Sequence, residues 1–303
     1  MADARNILIF ANPISGMGQG VRIAQSLCSA ARSAGHQVNE FFALPASAPE
    51  SLFPDAANGI IVCIGGDGTL RSIVERLLAT GRPIAPIVLI PLGTANLVAA
   101  NLHCKWPPEQ IGKAVLSAIA ANQHRPMDVA SVNGHAMLAV AGVGFDAQVV
   151  HDLCSRRRGP ITYADYFLPT VRSIAGYQFP PISVTLDGVH LITNTPAIAF
   201  IGNIPEYGAG FSVTPMARAD DGLLDLCLLP CNSWQDLFEL GTICGMGMHV
   251  NHDRAIYRQG KHIEIVSAHR VPIQVDGDES GFLPAAVNLL PRQLTFIVPP
   301  VAI

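Results

Sequence analysis

The run Gly65-Gly66-Asp67-Gly68-Thr69 constrains this chain most, because it follows the unbroken apolar stretch Ile60 to Ile64. A short apolar run stopped by glycine reads as a strand buried on both faces, which means a parallel sheet covered by helices. The glycines beyond it let backbone come close to backbone or to a ligand, where any Cβ would intrude. Two other turns repeat the arrangement. Asn12-Pro13-Ile14-Ser15-Gly16-Met17-Gly18-Gln19-Gly20 follows a strand over Ile7 to Phe10, and Pro91-Leu92-Gly93-Thr94-Ala95-Asn96 follows one over Ile87 to Ile90. Helical spacing fills the intervals at Gly20 to Ala34, Leu70 to Ala79, Ala95 to Leu102 and Glu109 to Ala121, with another strand over Val38 to Phe42. This alternation predicts a three-layer α/β unit that closes near Pro126.

Open sheets of this kind take ligands beyond the carboxyl ends of their strands, where all three turns are expected. In the first turn the amides, Ser15 and Gly16 are candidates for phosphate contact, with Arg22 on the following helix; a plain strand-to-helix turn needs only one or two of those glycines. In the second turn, Asp67 set among glycines suits Mg²⁺ or a nucleophilic hydroxyl, so its carboxylate is expected to serve metal or proton rather than packing. In the third, Thr94 and Asn96 pair a hydroxyl and an amide at a helix start, where Thr94 could equally be an N-cap. No G-x-x-x-x-G-K-[ST] occurs, which excludes a Walker loop.

Beyond Asp128 the pattern changes to short β-prone pieces at Val129 to Val132, Ala136 to Val140, Ile182 to Leu186, Ala197 to Ile201, Leu223 to Leu229, Ile263 to Val266 and Val271 to Val275. Their spacing predicts an antiparallel sandwich or barrel, interrupted by helices near Ala147 to Arg156, Ile161 to Ala175 and Ser233 to Met246. With 50% hydrophobic and 14% charged residues the chain is not disordered, and a net charge of −4 supplies no global positive field for nucleic acid. Seven scattered cysteines without a C-x-x-C pair read as free thiols of a reducing compartment. The charge-free stretch Pro83 to Cys104 is long enough for a bilayer, but Pro83, Pro86, Pro91 and Gly93 interrupt it, so it reads as strand, turn and helix. Asp3 and Arg5 before a short apolar run do not make a signal peptide, and the expectation is a soluble, cytoplasmic protein.

Other constellations carry less. Arg156-Arg157-Arg158 suits phosphates or anionic headgroups, or a solvated helix end. His249, His252 and Asp253 lack further metal ligands nearby and read as a surface turn. Cys227 and Cys231 alternate with leucines and read as core. Leu237, Phe238, Leu240, Ile243, Met246 and Met248 form an apolar run that suits core packing, an acyl chain or a bilayer interface.

Together with Gly142-Val143-Gly144-Phe145-Asp146-Ala147, Asp221-Gly222-Leu223-Leu224-Asp225 and Val275-Asp276-Gly277-Asp278, the glycine turns resemble, in order, the diacylglycerol kinase catalytic-domain family. That family also contains sphingosine and ceramide kinases and bacterial lipid kinases. The resemblance implies an α/β fold: a nucleotide-binding unit like that of NAD kinases and phosphofructokinases at 1–127, rejoined by a strand at about 291–303, and a β-sandwich lipid-acceptor unit at 128–290. It implies ATP and Mg²⁺ as cofactors and transfer of the γ-phosphoryl group to a lipid hydroxyl at a membrane surface, with peripheral membrane contact, no nucleic acid, and a homodimer left open.

Carried over by motif, Asn12, Ser15, Gly16, Arg22, Gly65, Gly66, Asp67, Gly68, Thr69, Thr94, Asn96 and Asp278 are nucleotide-binding. Asp67 and Asp276 are catalytic, either one being the base, and Asp221 and Asp225 hold Mg²⁺. The chain departs from the pattern at Met17, at Arg71-Ser72, at Leu97 and at Asp278, which stands for a glutamate. A soluble-acceptor kinase of NAD kinase type and a degenerate lipid or nucleotide sensor are the rival readings.

Overall fold

The computed structural model describes residues 4–13, 15–155 and 176–300. The Arg156–Arg158 cluster and the helix expected over 161–175 lie outside the described residues. The chain divides into two compact units, Met1–Met127 with Gln293–Ile303, and Asp128–Arg292.

In the first unit, β1 (Asn6–Ala11) lies between β2 (Gln37–Phe41) and β3 (Gly59–Gly65), and β4 (Ile87–Pro91) follows β3, all parallel. The end of the long strand β15 (Ala285–Ile297) completes this sheet, with Phe296 opposite Ile87. Ile60 to Ile64 are at most 3% exposed, and burying each such aliphatic side chain stabilises the fold by about 1.5–3 kcal/mol. Helices α1 (Gln19–Ser33), α2 (Asp67–Ala79), α3 (Leu97–Asn101) and α4 (Ile111–Ala121) connect the strands. Leu27, Ala31, Val115 and Ile119 pack with Ile7, Val62 and Ile90 in one cluster, so the apolar stripes of α1 and α4 cover one face of the sheet.

In the second unit the fold is a sandwich. One sheet runs β14 (Asp278–Phe282), β13 (Pro272–Val275), β7 (Val140–Val143), the latter part of β9 (Val189–Gly202), β10 (Leu224–Pro230) and β11 (Ile256–Gly260). The other pairs the start of β9 with β8 (Pro181–Leu186), then β12 (His262–Val266) and the start of β15, beside β5 (His124–Val132) and β6 (His135–Met137). Ile182, Val184, Ile263 and Val287 from one sheet meet Ala141, Ile201, Leu226 and Ile273 from the other in a shared core. Helices α5 (Phe145–Ser155) and α6 (Trp234–Gly245) lie outside this core.

Several local expectations change. The strand expected over Ala136 to Val140 is broken, because the amides of Leu138 and Ala139 turn to a side chain instead of a ladder. His249 does not sit on a surface turn: it is fully buried, its Nε2 bonded to the Val213 carbonyl at 2.9 Å. Cys227 and Cys231 are core, and all seven cysteines are free. The apolar run of α6 divides, with Leu240 buried and Phe238, Met246 and Met248 exposed.

α6 opens on a reciprocal cap: Ser233 Oγ accepts the Asp236 N–H, and Asp236 accepts the Asn232 N–H. The Arg254 guanidinium bonded to Asp236 holds that carboxyl down at about 2. A depressed folded value means the stabilisation is complete above the ordinary carboxylate range and is lost as pH falls toward about 2. Asp236→Asn should therefore lower the melting temperature at neutral pH, with the gap to wild type closing as melts are repeated toward pH 2.

Candidate functional site

The three glycine turns stand at the carboxyl ends of β1, β3 and β4, which are neighbours in the sheet. Adjacent parallel strands put their outgoing turns side by side, and here the turns touch. A Cβ on Gly66 would lie 2.9 Å from the Gly93 Cα, and one on Gly93 would lie 2.7 Å from the Gly66 Cα. Backbone meets backbone at this point, which only glycine on both sides permits. Leu92 N–H donates to the Gly65 carbonyl at 2.9 Å and extends the β3–β4 ladder into the turns. The first turn joins through Asn12, whose Nδ2 donates to Thr69 Oγ1 at 3.1 Å, and through Gly16, which backs onto Leu92. Asn96 closes the third turn on itself, accepting the Gly93 N–H at 2.8 Å and donating to the Gly93 carbonyl at 2.7 Å.

Asp67 is the pin of this assembly. Its carboxylate accepts the Leu97 N–H at 2.9 Å on Oδ2 and the Val98 N–H at 3.2 Å on Oδ1, and so caps the N-terminus of α3 from thirty residues away. The N-cap of α3 is Asn96, in the left-handed region at φ 50°, which removes the N-cap alternative for Thr94: Asp67 supplies the acceptor that N-cap side chains usually provide. Burial raises the Asp67 carboxyl above its ordinary value while the amides of Leu97 and Val98 oppose the rise. The expectation that this carboxylate has no packing role is also corrected, because two amide donors depend on it. Thr69 is buried, whereas Gly68, Thr94 and Arg22 are exposed, Arg22 in the first turn of α1.

The carboxylates of the second unit are engaged as well. Asp276 and Gly277 both have positive φ, 50° and 84°, and form the two-residue turn between β13 and β14, with Val275 opposite Asp278. That is the geometry an Asp-Gly pair favours. Asp276 Oδ2 accepts the Leu138 N–H at 2.9 Å, and Oδ1 accepts those of Ala139 and Val140 at 2.8 and 3.0 Å. An asparagine would tolerate the φ but present an NH₂ group to these donors, so Asp276→Asn disturbs the scaffold whatever the chemistry. Asp278 begins β14, half-buried. Asp225 is fully buried on β10, accepting the Tyr257 hydroxyl at 2.7 Å and Gln259 Nε2 at 3.1 Å. Burial raises its carboxyl, those two donors oppose the rise, and the neighbouring charge of Asp221 adds to it. Asp221 itself accepts the Leu223 N–H at 3.1 Å. Among the described residues no group of three or more His, Cys, Asp or Glu forms a metal cluster.

Sequence reasoning placed Asp146 in a motif without giving it a role and passed over Gln274 and Tyr207; the three meet behind the Asp276 turn. Asp146 is joined to the Tyr207 hydroxyl and, at 3.0 Å, to Gln274 Nε2. The available signal was a carboxylate in the first turn of a helix immediately after the apolar run Ala136 to Phe145.

Residues 6–132 match the model of the diacylglycerol kinase catalytic domain, and residues 139–298 match that of the YegS C-terminal NAD kinase beta sandwich-like domain. A Mycobacterium tuberculosis (strain CDC 1551 / Oshkosh) protein named diacylglycerol kinase is 27% identical over 296 residues, covering 95% of this chain and 93% of that one. A Bacillus subtilis (strain 168) protein of the same name is 25% identical over 245 residues, covering 79% and 78%. A solved structure of a diacylglycerol kinase from Bacillus anthracis str. Sterne superposes with a TM-score of 0.72 at 22% identity, over 99% of this chain and 98% of that one, which is a likeness of fold.

Proposed function

Because the chain belongs to the diacylglycerol kinase catalytic-domain family, we propose that it is an ATP- and Mg²⁺-dependent lipid kinase. It transfers the γ-phosphoryl group to a hydroxyl of a diacylglycerol-like lipid and meets that lipid through reversible, peripheral contact with a membrane. The observation that carries the reading is the contact of Gly66 with Gly93. Two strand-to-helix turns pressed together at their backbones leave no Cβ between them, and with Asn96 holding the Gly93 N–H the remaining turn amides and helix starts are what a polyphosphate would meet in a chain without a Walker lysine. No described helix is long and apolar enough to cross a membrane.

Within this reading the roles divide. The turn amides, Ser15 and the exposed Arg22 meet phosphate charge. Asp67 holds α3 and, through Asn96, the Gly93 turn, so the amides are oriented before nucleotide arrives. An acceptor hydroxyl is a poor nucleophile at neutral pH and needs a carboxylate to take its proton. Three amides occupy the Asp276 oxygens, so we assign Asp276 to fixing the hairpin; Asp278, which stands for the glutamate of the family pattern and begins β14 half-buried, we assign to the acceptor hydroxyl. Asp225 is fully buried with one oxygen on the Tyr257 hydroxyl and the other on Gln259, so of this pair Asp221 is the one that would offer an oxygen to a structural Mg²⁺, an ion that commonly takes only one or two carboxylates. Bound there, the ion would neutralise the pair and brace the loop before β10.

A radiolabelled-ATP assay against detergent-dispersed diacylglycerol, monoacylglycerol, sphingosine, ceramide and phosphatidylglycerol tests the reading. Transfer to one of these supports it. Transfer only to a soluble acceptor would favour the NAD kinase type, and ATP binding without transfer would favour a sensor. Arg22→Ala should weaken ATP binding in calorimetry while leaving the KM for lipid unchanged; unaltered nucleotide affinity would make Arg22 an ordinary helix-surface residue.

A further inference from the structure

The Asp276–Gly277 hairpin is held from behind as well as from its own carboxylate. Gln274 is 1% exposed, and its amide has one donor end and one acceptor end. Nε2 donates to Asp146 Oδ2 at 3.0 Å, and Oε1 accepts the Gly277 N–H at 2.9 Å. The other Asp146 oxygen takes the Tyr207 hydroxyl. Burial raises the Asp146 carboxyl and the Tyr207 and Gln274 donors oppose the rise; with both oxygens accepting, Asp146 sets which end of the Gln274 amide faces it and thereby which end faces the turn. β7 makes room for the pair. Gly142 lies opposite Gln274, and a Cβ there would come within 2.1 Å of Asp146 Oδ2 and 2.8 Å of Gln274 Nε2. Four elements, the loop at Tyr207, α5, β7 and β13, thus converge on one backbone N–H of the acidic turn.

We propose that Asp146 and Gln274 are positioning residues that fix the conformation of the 276–278 turn, and with it Asp278, for phosphoryl transfer. This rests on the lipid kinase reading for its catalytic part. The polarity of the relay supplies the test, because it can be broken and rebuilt with side chains of unchanged shape. In Asp146→Asn one acceptor is left for two donors, so either Gln274 flips and sets Nε2 against the Gly277 N–H, or the new NH₂ turns to the Tyr207 oxygen and that hydroxyl loses its acceptor. In Gln274→Glu two carboxylates face each other. In the double variant Asp146→Asn/Gln274→Glu the asparagine NH₂ donates to one glutamate oxygen, the other still accepts the Gly277 N–H, and the asparagine oxygen still takes the Tyr207 hydroxyl, so every bond is restored with donor and acceptor exchanged in the 146–274 bond alone.

Each single variant should lower kcat by about tenfold to a hundredfold, the scale of a small misplacement of a reacting group, with the KM for ATP within about twofold of wild type. The double variant should recover to within about threefold of wild type, a strongly non-additive cycle. A double variant no faster than Asp146→Asn, or single variants with wild-type kcat, would overturn the proposal. Should Gln274→Glu not fold alone, the comparison of Asp146→Asn with the double variant decides the matter by the same rule. Hydrogen exchange at the Gly277 amide reads the relay independently of activity. Faster exchange in Gln274→Glu, slowed again in the double variant, supports it, and equal exchange in all the proteins overturns it. Absence of transfer to any lipid by the wild-type enzyme would instead fail the lipid kinase reading, leaving the exchange result to judge the relay.

Discussion

Asp67→Asn should reduce phosphoryl transfer by roughly 10²–10⁴ in kcat, the range for loss of a positioned charged group, and should lower stability at the same time. An asparagine can accept with one atom only, so either the Leu97 or the Val98 N–H would face an NH₂ group in place of an oxygen. Leaving a donor unsatisfied there costs about 1–3 kcal/mol. The start of α3 would then shift, and with it Asn96, whose side chain clips both polar groups of Gly93. Loss of turnover and a lower melting temperature are therefore expected together, with a raised KM for ATP as the sign that the phosphate turns have moved. Full turnover in a folded variant would reduce Asp67 to a cap, whereas lost turnover with unchanged stability and KM would return it to direct chemistry on metal or proton.

Gly93→Ala should be more damaging to the fold. Its Cβ would stand 2.7 Å from the Gly66 Cα and 2.8 Å from Asn96 Oδ1, and the nearer atom is backbone that has no rotamer to yield. Overpacking of this kind costs about 1–3 kcal/mol or more, and the displacement would open the amide surface, so ATP affinity should fall at least about tenfold. Gly66→Ala meets the same contact from the other side, so the double variant should cost less than the sum of the singles. Gly241→Ala is the control: nothing lies within 4 Å of its Cβ, and alanine favours a helix. Urea unfolding and calorimetry on the four proteins separate these outcomes, and equal behaviour of Gly93→Ala and Gly241→Ala would refute the idea that the two turns are pressed together.

The alternation of strands and helices in the first unit was legible because each element declares itself through local periodicity. Ile60 to Ile64 and the stripe Ile23, Leu27 and Ala31 need no distant partner to be read. The start of β9 was not legible, since His190, Thr193, Asn194 and Thr195 carry no apolar alternation, nor was β14, where Asp278 and Glu279 suit a hairpin edge. The motifs located the turns that touch, but not what their side chains do. Asp67 finds its amides thirty residues on, and Asp276 finds its own well over a hundred residues back. Such pairings depend on how strands stack and leave no trace in spacing. Asp146 belonged to a recognised motif, yet its partners Tyr207 and Gln274 are far from it in sequence.

β15 has a bearing on how the chain is made. Synthesis runs from the amino end, and among the described residues the edge of β4 away from β3 is paired by Phe296 and Ile297, which are made well over a hundred residues after β4 itself. The sandwich receives its own share of the same strand earlier, at Ala285 to Asn288 opposite β12. On the ribosome the inserted unit can therefore complete its pairing while the unit that began first still waits with an open, apolar strand edge. A nascent chain stalled just after Met127 should present that edge to chaperones, and a shortened gene product ending there should aggregate, although all three glycine turns are already present.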